Sequence, residues 1–414
     1  MKYGLIGNPL AHSWSPEIHQ FLIGESYQLR PLKENELDDF FQERNFEGIN
    51  VTIPYKKTVI PYLDFIDEAA QELGAVNTIV NRDGKLYGYN TDYLGFKYLL
   101  ENNSIDVHNK TVAVLGTGGA SKAIKYALNQ LGCEPLLISR THKESCITYD
   151  ELYERASEIE IIVNTTPVGL YPNLEEAPIE IKKFPNLTAV VDIIANPLKT
   201  KLMLDAEEMG VKAIGGLEML VAQAYYADLL FTNSMLEEQL INDCYNQLLF
   251  DKRNIVLIGM PTSGKTTVGK LLAQKTGKQF YDIDEEIKNS INMSIADYFA
   301  EYGEQAFRDL ETSFVKKIEN ETGLVISTGG GIIKRAENIN SLAHNGIIIW
   351  LDRDIELLSP ASDRPLSSNI DDLHKLFEER KHLYQTYSDI VCKNNSTQEN
   401  AVNLILRELK GEQV

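Results

Sequence analysis

Apolar residues along this chain gather in short runs of four or five, closed off by Gly, Asn, Pro or paired hydroxyl residues. Thr111–Leu115 (Thr-Val-Ala-Val-Leu), Asn254–Ile258 (Asn-Ile-Val-Leu-Ile) and Leu324–Thr328 (Leu-Val-Ile-Ser-Thr) are of this kind. Runs that are apolar at successive rather than alternate positions predict strands buried on both faces, as in a parallel sheet covered by helices. Lys2–Ile6, Pro135–Ser139, Ile161–Thr166 and Ala189–Pro197 predict further strands or strand tips. Gly48–Pro54 reads as a strand carrying polar Asn50 and Thr52. Phe280–Asp284 reads as a strand tip whose alternate carboxylates, Asp282 and Asp284, would share one face. Helical spacing predicts helices over about Lys122–Leu131 and Lys265–Lys275, and a further helix presenting Arg308. Strands alternating with helices make the chain α/β.

The length, 414 residues, suits two or three domains. A formal net charge of −20 argues against nucleic acid or an anionic membrane as a partner. Anionic small-molecule substrates would have to be drawn in by local basic groups. Cys133, Cys146, Cys244 and Cys392 lack the spacing of a disulfide framework or a zinc site. No apolar run is long enough to span a bilayer, and the first residues hold none of signal-peptide length. A cytoplasmic enzyme is expected.

Two glycine turns sit where a strand meets a helix. Gly259-Met-Pro-Thr-Ser263-Gly264-Lys265-Thr266 has a glycine, four residues and then Gly-Lys-Thr, the pattern of a phosphate-binding loop. Its backbone N–H groups would face the phosphates of ATP, with Ser263 and Thr267 in the same cradle. Lys265 would reach the β- and γ-phosphates, and Thr266, with Asp282, would hold Mg2+. A domain therefore begins near residue 252. Earlier, Gly116-Thr117-Gly118-Gly119-Ala120-Ser121 is a dinucleotide turn with serine in place of the third glycine. The next strand ends not in an acid but in Ser139-Arg140-Thr141-His142-Lys143, whose cationic donors suit a 2′-phosphate and so favour NADP(H) over NAD.

Short polar side chains collect at the other strand ends: Ser13 and Ser15, Asn50 and Thr52, Asn77, and Asn90-Thr91-Asp92. Such a gathering suits a small polyhydroxylated ligand. Lys56 and Asp92 can form a proton-transferring pair if the fold brings them together. In the last third, Arg308 and Arg380 are candidate clamps for carboxylate or phosphate. Gly329-Gly330-Gly331 would let backbone approach a ligand, and Arg364 sits in a Ser- and Pro-rich stretch with the composition of a lid.

Residues 1 to about 250 resemble a shikimate dehydrogenase. The motifs are Ser13-x-Ser15-Pro16, Asn50-Val-Thr52-x-Pro54-x-Lys56, Ala75-Val-Asn77-Thr78, Asn90-Thr91-Asp92, the Gly116 turn and Gly215-Gly216-Leu-Glu-Met-Leu-Val-x-Gln223, in order. The resemblance implies that Ser13, Ser15, Asn77, Asp92 and Gln223 hold substrate and that Lys56 and Asp92 are the catalytic pair. It also implies that the helix after Gly216 packs back onto the first domain. Asn50, Thr52 and, at the cofactor, Gly216 join these expected contacts. Ala195 stands where the family usually has tyrosine, so a substrate contact is expected to be lost. Residues 252–414 resemble a shikimate kinase. That implies shikimate binding by Asp284, Arg308, Gly330 and Arg380, with Asp284 as base and Arg364 closing over the phosphates; the usual basic residue near adenine is missing from Leu357-Leu-Ser-Pro360.

The expected architecture is an N-terminal α/β substrate domain, 1–104, completed by helices over 217–250. A Rossmann-like NADP domain, 105–216, and a P-loop kinase α/β domain with a parallel sheet, 252–414, follow. The expected chemistry is reduction of 3-dehydroshikimate to shikimate and its phosphorylation, by a monomer or homodimer. Arg140 speaks against an oxidative NAD-linked quinate/shikimate dehydrogenase, and the retained clamps speak against a purely nucleotide-sensing P-loop module.

Overall fold

The computed structural model describes residues 1–10, 13–359 and 370–411. These divide into two compact units, Met1–Leu170 with Glu176–Asn196 and Leu202–Leu248, and Leu249–Val414 with Tyr171–Glu175 and Pro197–Lys201.

The first unit holds two six-stranded sheets. One is built from β1 (Tyr3–Gly7), β2 (Tyr27–Pro31), β3 (Gly48–Val51), β4 (Phe65–Ile66), β5 (Thr78–Arg82) and β6 (Lys85–Tyr89), in the order β2-β1-β3-β5-β6-β4. β1 runs parallel to β2 and β3, whereas β5 is antiparallel to β3 and to β6. Asp83 and Gly84, both at positive φ, make the tight β5–β6 turn. The second sheet contains β7 (Val112–Leu115), β8 (Leu136–Ser139), β9 (Cys146–Thr148), β10 (Ile161–Asn164), β11 (Ala189–Asp192) and β12 (Lys212–Gly215). All run parallel in the order β12-β11-β10-β7-β8-β9, with separate apolar clusters on the two faces. The order reverses between β7 and β10, which opens a crevice at the strands' carboxyl ends, where such sheets bind ligands.

The second unit centres on β13 (Asn254–Ile258), β14 (Gln279–Asp282), β15 (Leu324–Ser327), β16 (Gly346–Asp352) and β17 (Ile390–Lys393), all parallel, in the order β14-β15-β13-β16-β17. Apolar clusters again cover both faces, which is why the inner strands β13, β15 and β16 read as near-continuous apolar runs, while edge strands β14 and β17 do not. In this unit Lys199 N–H donates to His344 O (2.8 Å) and Leu198 N–H to Asn345 Oδ1 (3.0 Å). The helix Gln239–Lys252 runs to within one residue of β13. Lys278 Nζ donates to its closing carbonyls at Phe250 (2.5 Å) and Asp251 (2.8 Å).

Three expected boundaries shift. The helix after the Gly116 turn starts at Gly119, three residues early, and β11 stops at Asp192. The predicted strand through Asp284 stops at Asp282, whose carboxylate accepts the Glu285 N–H (3.2 Å) and caps the helix Ile283–Ile291. Asp284, Glu285 and Glu286 then occupy the first turn, where the helix dipole favours acids. Asp282 and Asp284 therefore share a cleft through a cap and a helical turn, not through strand alternation.

Two candidate active sites

In the first unit, Lys56 and Asp92 meet. Lys56 Nζ donates to Asp92 Oδ2 at 2.6 Å, with both side chains partly buried. Asp92 opens the helix Asp92–Asn102, and its N–H is held by Asn90 Oδ1 (3.0 Å). Asn77, just before β5, fixes the other side of the carboxylate: Nδ2 donates to Asp92 Oδ1 (2.9 Å) and Thr91 Oγ1 (3.0 Å), while Oδ1 accepts from Thr91 N–H (2.8 Å). Gln223 reaches the group from the helix Leu217–Thr232, its Oε1 lying 3.4 Å from Thr91 Oγ1. That helix packs onto Asp92–Asn102 at Gly95, where a Cβ would stand 2.7 Å from Met219 O. Ser13 Oγ donates to Ser15 Oγ at 3.1 Å. Lys56, Asp92, Asn77, Gln223, Ser13 and Ser15, together with Thr52, Asn50 and Ala195, line a cavity of about 380 Å³. Asn50 differs from the rest: Oδ1 accepts from Tyr27 Oη (2.7 Å) and Nδ2 faces Thr78 Oγ1 (3.1 Å) and Asn77 O (3.3 Å), so its amide is engaged by the scaffold. Ala195 contributes only a methyl to this lining, which also includes Ile193, Met219 and Leu220.

The Gly116 turn borders this region. Gly116 has φ +104°, and a Cβ there would press within 3.0 Å of Thr165 Oγ1. Gly118 and Gly119 leave open space where side chains would be, ahead of the helix Gly119–Gln130 and next to Ala120. Bare N–H groups at a helix start suit a pyrophosphate. From the neighbouring strand end, Lys143 Nζ donates to Thr117 Oγ1 (2.8 Å) and Ser139 Oγ accepts the Thr141 N–H (3.4 Å), with Arg140 exposed beside them. Gly216 has a packing reason for its identity: a Cβ would stand 2.0 Å from Ile193 O.

The second unit forms a larger cleft, about 810 Å³, around the phosphate loop. Gly259 (φ +146°) and Gly264 (φ +99°) bend the loop, and Lys265 Nζ donates to the loop's own carbonyls at Gly259 and Met260, both 2.9 Å. Thr266 Oγ1 donates to Asp282 Oδ2 at 2.8 Å, and Thr267 lines the same cleft. That hydroxyl and carboxylate fit Mg2+, which takes few protein ligands and leaves the rest to water and phosphate; no cluster of three or more His, Cys, Asp or Glu that could hold a metal occurs among the described residues.

Opposite the loop, Arg308 Nη1 donates to Glu311 Oε2 (2.8 Å) on the helix Ile295–Ile318. Arg380 Nη1 and Tyr384 Oη both donate to Gly330 O (2.9 and 2.7 Å). Gly329 separates two carboxylates: its Cβ would stand 2.7 Å from Asp284 Oδ1 and 2.8 Å from Glu311 Oε1. Burial raises the Glu311 carboxyl pKa, against the pull of Arg308. Among the described residues, Ser263 Oγ, Glu311 Oε1, and Arg380 Nε and Nη2 are buried without hydrogen-bond partners. Glu311 and Tyr384 belong to this site although sequence reasoning did not single them out; Glu311, three positions beyond Arg308 on one helix, was the readable one. Arg364 lies outside the described residues.

Comparison with known proteins follows the same division. The family model for the shikimate dehydrogenase substrate binding domain matches residues 5–79, and that for shikimate kinase matches residues 261–410. An NADP-dependent shikimate dehydrogenase of Clostridium beijerinckii is 40% identical over 260 residues, covering 59% of this chain and 96% of the relative. One from Halothermothrix orenii is 39% identical over 261 residues, 55% of this chain and 90% of the relative. Among solved structures, a chorismate mutase/shikimate 5-dehydrogenase fusion protein of Clostridium acetobutylicum matches with TM-score 0.56 and 34% identity, covering 59% of this chain and 96% of that one. The Thermus thermophilus shikimate 5-dehydrogenase in complex with NADP(H) and shikimate matches with TM-score 0.55 and 31% identity, covering 60% and 99%. The chain therefore belongs to the shikimate dehydrogenase family, as an NADP-dependent shikimate dehydrogenase in its N-terminal part, and carries a shikimate kinase domain over residues 261–410.

Proposed function

We propose that this chain catalyses two consecutive reactions, reduction of 3-dehydroshikimate to shikimate with NADPH and phosphorylation of shikimate with ATP-Mg to shikimate 3-phosphate. In the first, the nicotinamide supplies the hydride. Lys56, held against Asp92, gives the proton to the developing alkoxide, while Ser13, Ser15, Thr52, Asn77 and Gln223 orient the ring. Gly118, Gly119 and Ala120 take the pyrophosphate, and Arg140, Thr141 and Lys143 read the 2′-phosphate. In the second, Arg308 and Arg380 clamp the shikimate carboxylate and Asp284 draws the proton from the attacking hydroxyl. Lys265 neutralises the phosphates, and Thr266 with Asp282 holds the metal.

The proposed domains are 1–104 completed by 217–250, then 105–216, then 252–414, in a cytoplasmic enzyme. One observation carries the kinase reading: a phosphate loop and a buried, partly unpaired arginine, Arg380, open onto the same cleft. A nucleotide-sensing module would need only the first. The fusion gains plausibility from chemistry, since the product of one site is the substrate of the other. The Clostridium acetobutylicum relative is itself a fusion protein. Incubating the pure chain with 3-dehydroshikimate, NADPH and ATP-Mg, and weighing the products, tests both steps. Shikimate without its phosphate, under conditions where ATP binds, would remove the kinase from this reading.

A further inference from the structure

The parallel register of β13 with β16, Ile258 opposite Trp350, brings the carboxyl end of β16 alongside the phosphate loop. The approach is close: a Cβ on Gly259 would stand 2.7 Å from Leu351 O. Arg353 comes two residues later. Its Nη1 lies 4.0 Å from the place a Gly264 Cβ would take, and its Nε is buried with no hydrogen-bond partner. Among the described residues Arg353 shares this with Arg380, whose Nε and Nη2 are also buried without partners. Arg44, Arg155, Arg308 and Arg335 each meet a carboxylate. Next to Arg353, the Asp352 carboxylate is already paired with Lys393, and the Asp354 N–H donates to Asn395 Oδ1 (2.9 Å). Asn394 Nδ2 donates to Ser263 O (2.7 Å) and holds the loop from behind. Arg353 does not line the large cleft that contains Asp284, Arg308 and Arg380. It stands at Gly264 beside Asn394, whose Nδ2 is 3.0 Å from the same Cβ position.

We infer that Arg353 is a nucleotide-binding residue, contacting the α- and β-phosphate end of a nucleoside di- or triphosphate seated on the loop. The inference rests on the kinase reading of that loop. A guanidinium with a buried donor lacking an acceptor is unfavourable, and a phosphate oxygen within reach of that guanidinium would supply the missing acceptor. A guanidinium is suited to that role because its planar donors match phosphate geometry, and the helix N-terminus at Gly264 favours the same anion. Being remote from the transferred group, the contact is equally strong before and during transfer. It lowers KM for ATP without raising kcat.

The test uses the full chain, with ADP-Mg binding followed by calorimetry and shikimate phosphorylation followed by steady-state kinetics. Arg353→Ala should weaken ADP roughly tenfold to a hundredfold, the range of one charge-assisted hydrogen-bonded contact, and raise KM for ATP by a similar factor. Its kcat, its KM for shikimate and its reduction of 3-dehydroshikimate should stay near wild type. Arg353→Lys, keeping the charge but not the fork, should recover part of the loss. Wild-type ADP affinity in Arg353→Ala would overturn the assignment. If the wild type binds ADP but phosphorylates no shikimate, the kinase reading falls while the ADP comparison still decides the role of Arg353. A wild type that binds no ADP at all overturns both.

Discussion

Around Lys56, the side chains of Asp92, Asn77, Thr91 and Gln223 hydrogen-bond to one another, whereas around the phosphate loop Ser263, Glu311 and Arg380 each keep a buried polar atom without a partner. Both clefts face small hydroxylated carboxylates in the proposed reactions, yet their polar groups are prepared differently. A proton-transfer pair works only if its geometry is set beforehand, and a closed network sets it. A phosphoryl-transfer cleft must instead surround several negative charges, and donors engaged with each other would compete with the ligand. The unpaired groups lower the stability of the empty cleft and are satisfied when anions enter. The polar groups of the first site are already paired with one another when it is empty, and those of the second are completed by what it binds.

The strongest way to break the comparison is at Lys56. Lys56→Ala should lower dehydrogenase kcat by roughly a hundredfold or more, while phosphorylation of shikimate is unchanged. A variant that only raises KM would show that the network positions substrate and moves no proton. A smaller effect is expected at the cofactor loop. Arg140→Ala should reduce the preference for NADPH over NADH by roughly tenfold to a hundredfold, read from the ratio of the two kcat/KM values. Equal use of both cofactors by the wild type would remove Arg140 and its exposed neighbours from that role.

Local sequence carried the glycine turns and the strands that deliver them, because each is written in fewer than ten consecutive residues. Lys56 and Asp92 were nameable for their chemistry, but their 2.6 Å contact depends on a fold that joins positions 36 residues apart. Partnerships at greater separation were not legible. His19 Nδ1 lies 2.6 Å from Asp228 Oδ1 across 209 residues, and Tyr27 stacks on His19 while taking up Asn50 Oδ1. Asn50 therefore resembled a ligand contact in the sequence and is engaged by the scaffold in the fold. At Asp282 the difference was local: an acid that could continue a strand instead accepts a helix N–H, and the strand ends two residues before Asp284, which the expected face required.

Arg380 sharpens the comparison through stability. Arg380→Met removes a buried guanidinium with two unpaired nitrogens, Nε and Nη2, and Gly330 O keeps Tyr384 as a donor. The stability of the empty second unit should change by less than about 1 kcal/mol, because the desolvated charge leaves together with its attraction to the Glu311 carboxylate. KM for shikimate should rise at least about tenfold. Calorimetry of the ligand-free variant checks the first expectation. A clear loss of stability would mean that Arg380 is needed by the fold as well as by the ligand.

The smallest effects compare single side chains of similar burial in the two clefts. Asn77 and Ser263 are both almost fully buried, at 2% and 0% exposure. Asn77→Ala would leave Asp92 Oδ1, the Thr91 N–H and the Thr78 hydroxyl each short of a partner. One unsatisfied buried group costs about 1–3 kcal/mol, so a loss in that range or above it is expected before any substrate is added. Ser263 Oγ has no partner to lose, and Ser263→Ala should stay within about 0.5 kcal/mol of the wild type. With nucleotide bound the order should narrow, because the Ser263 hydroxyl then has an anion within reach and its removal becomes costly. Denaturant unfolding of both variants, with and without ADP-Mg, measures the difference. Equal losses in the empty protein would mean that the phosphate loop is as internally satisfied as the Lys56 network, and the contrast between the clefts would fail.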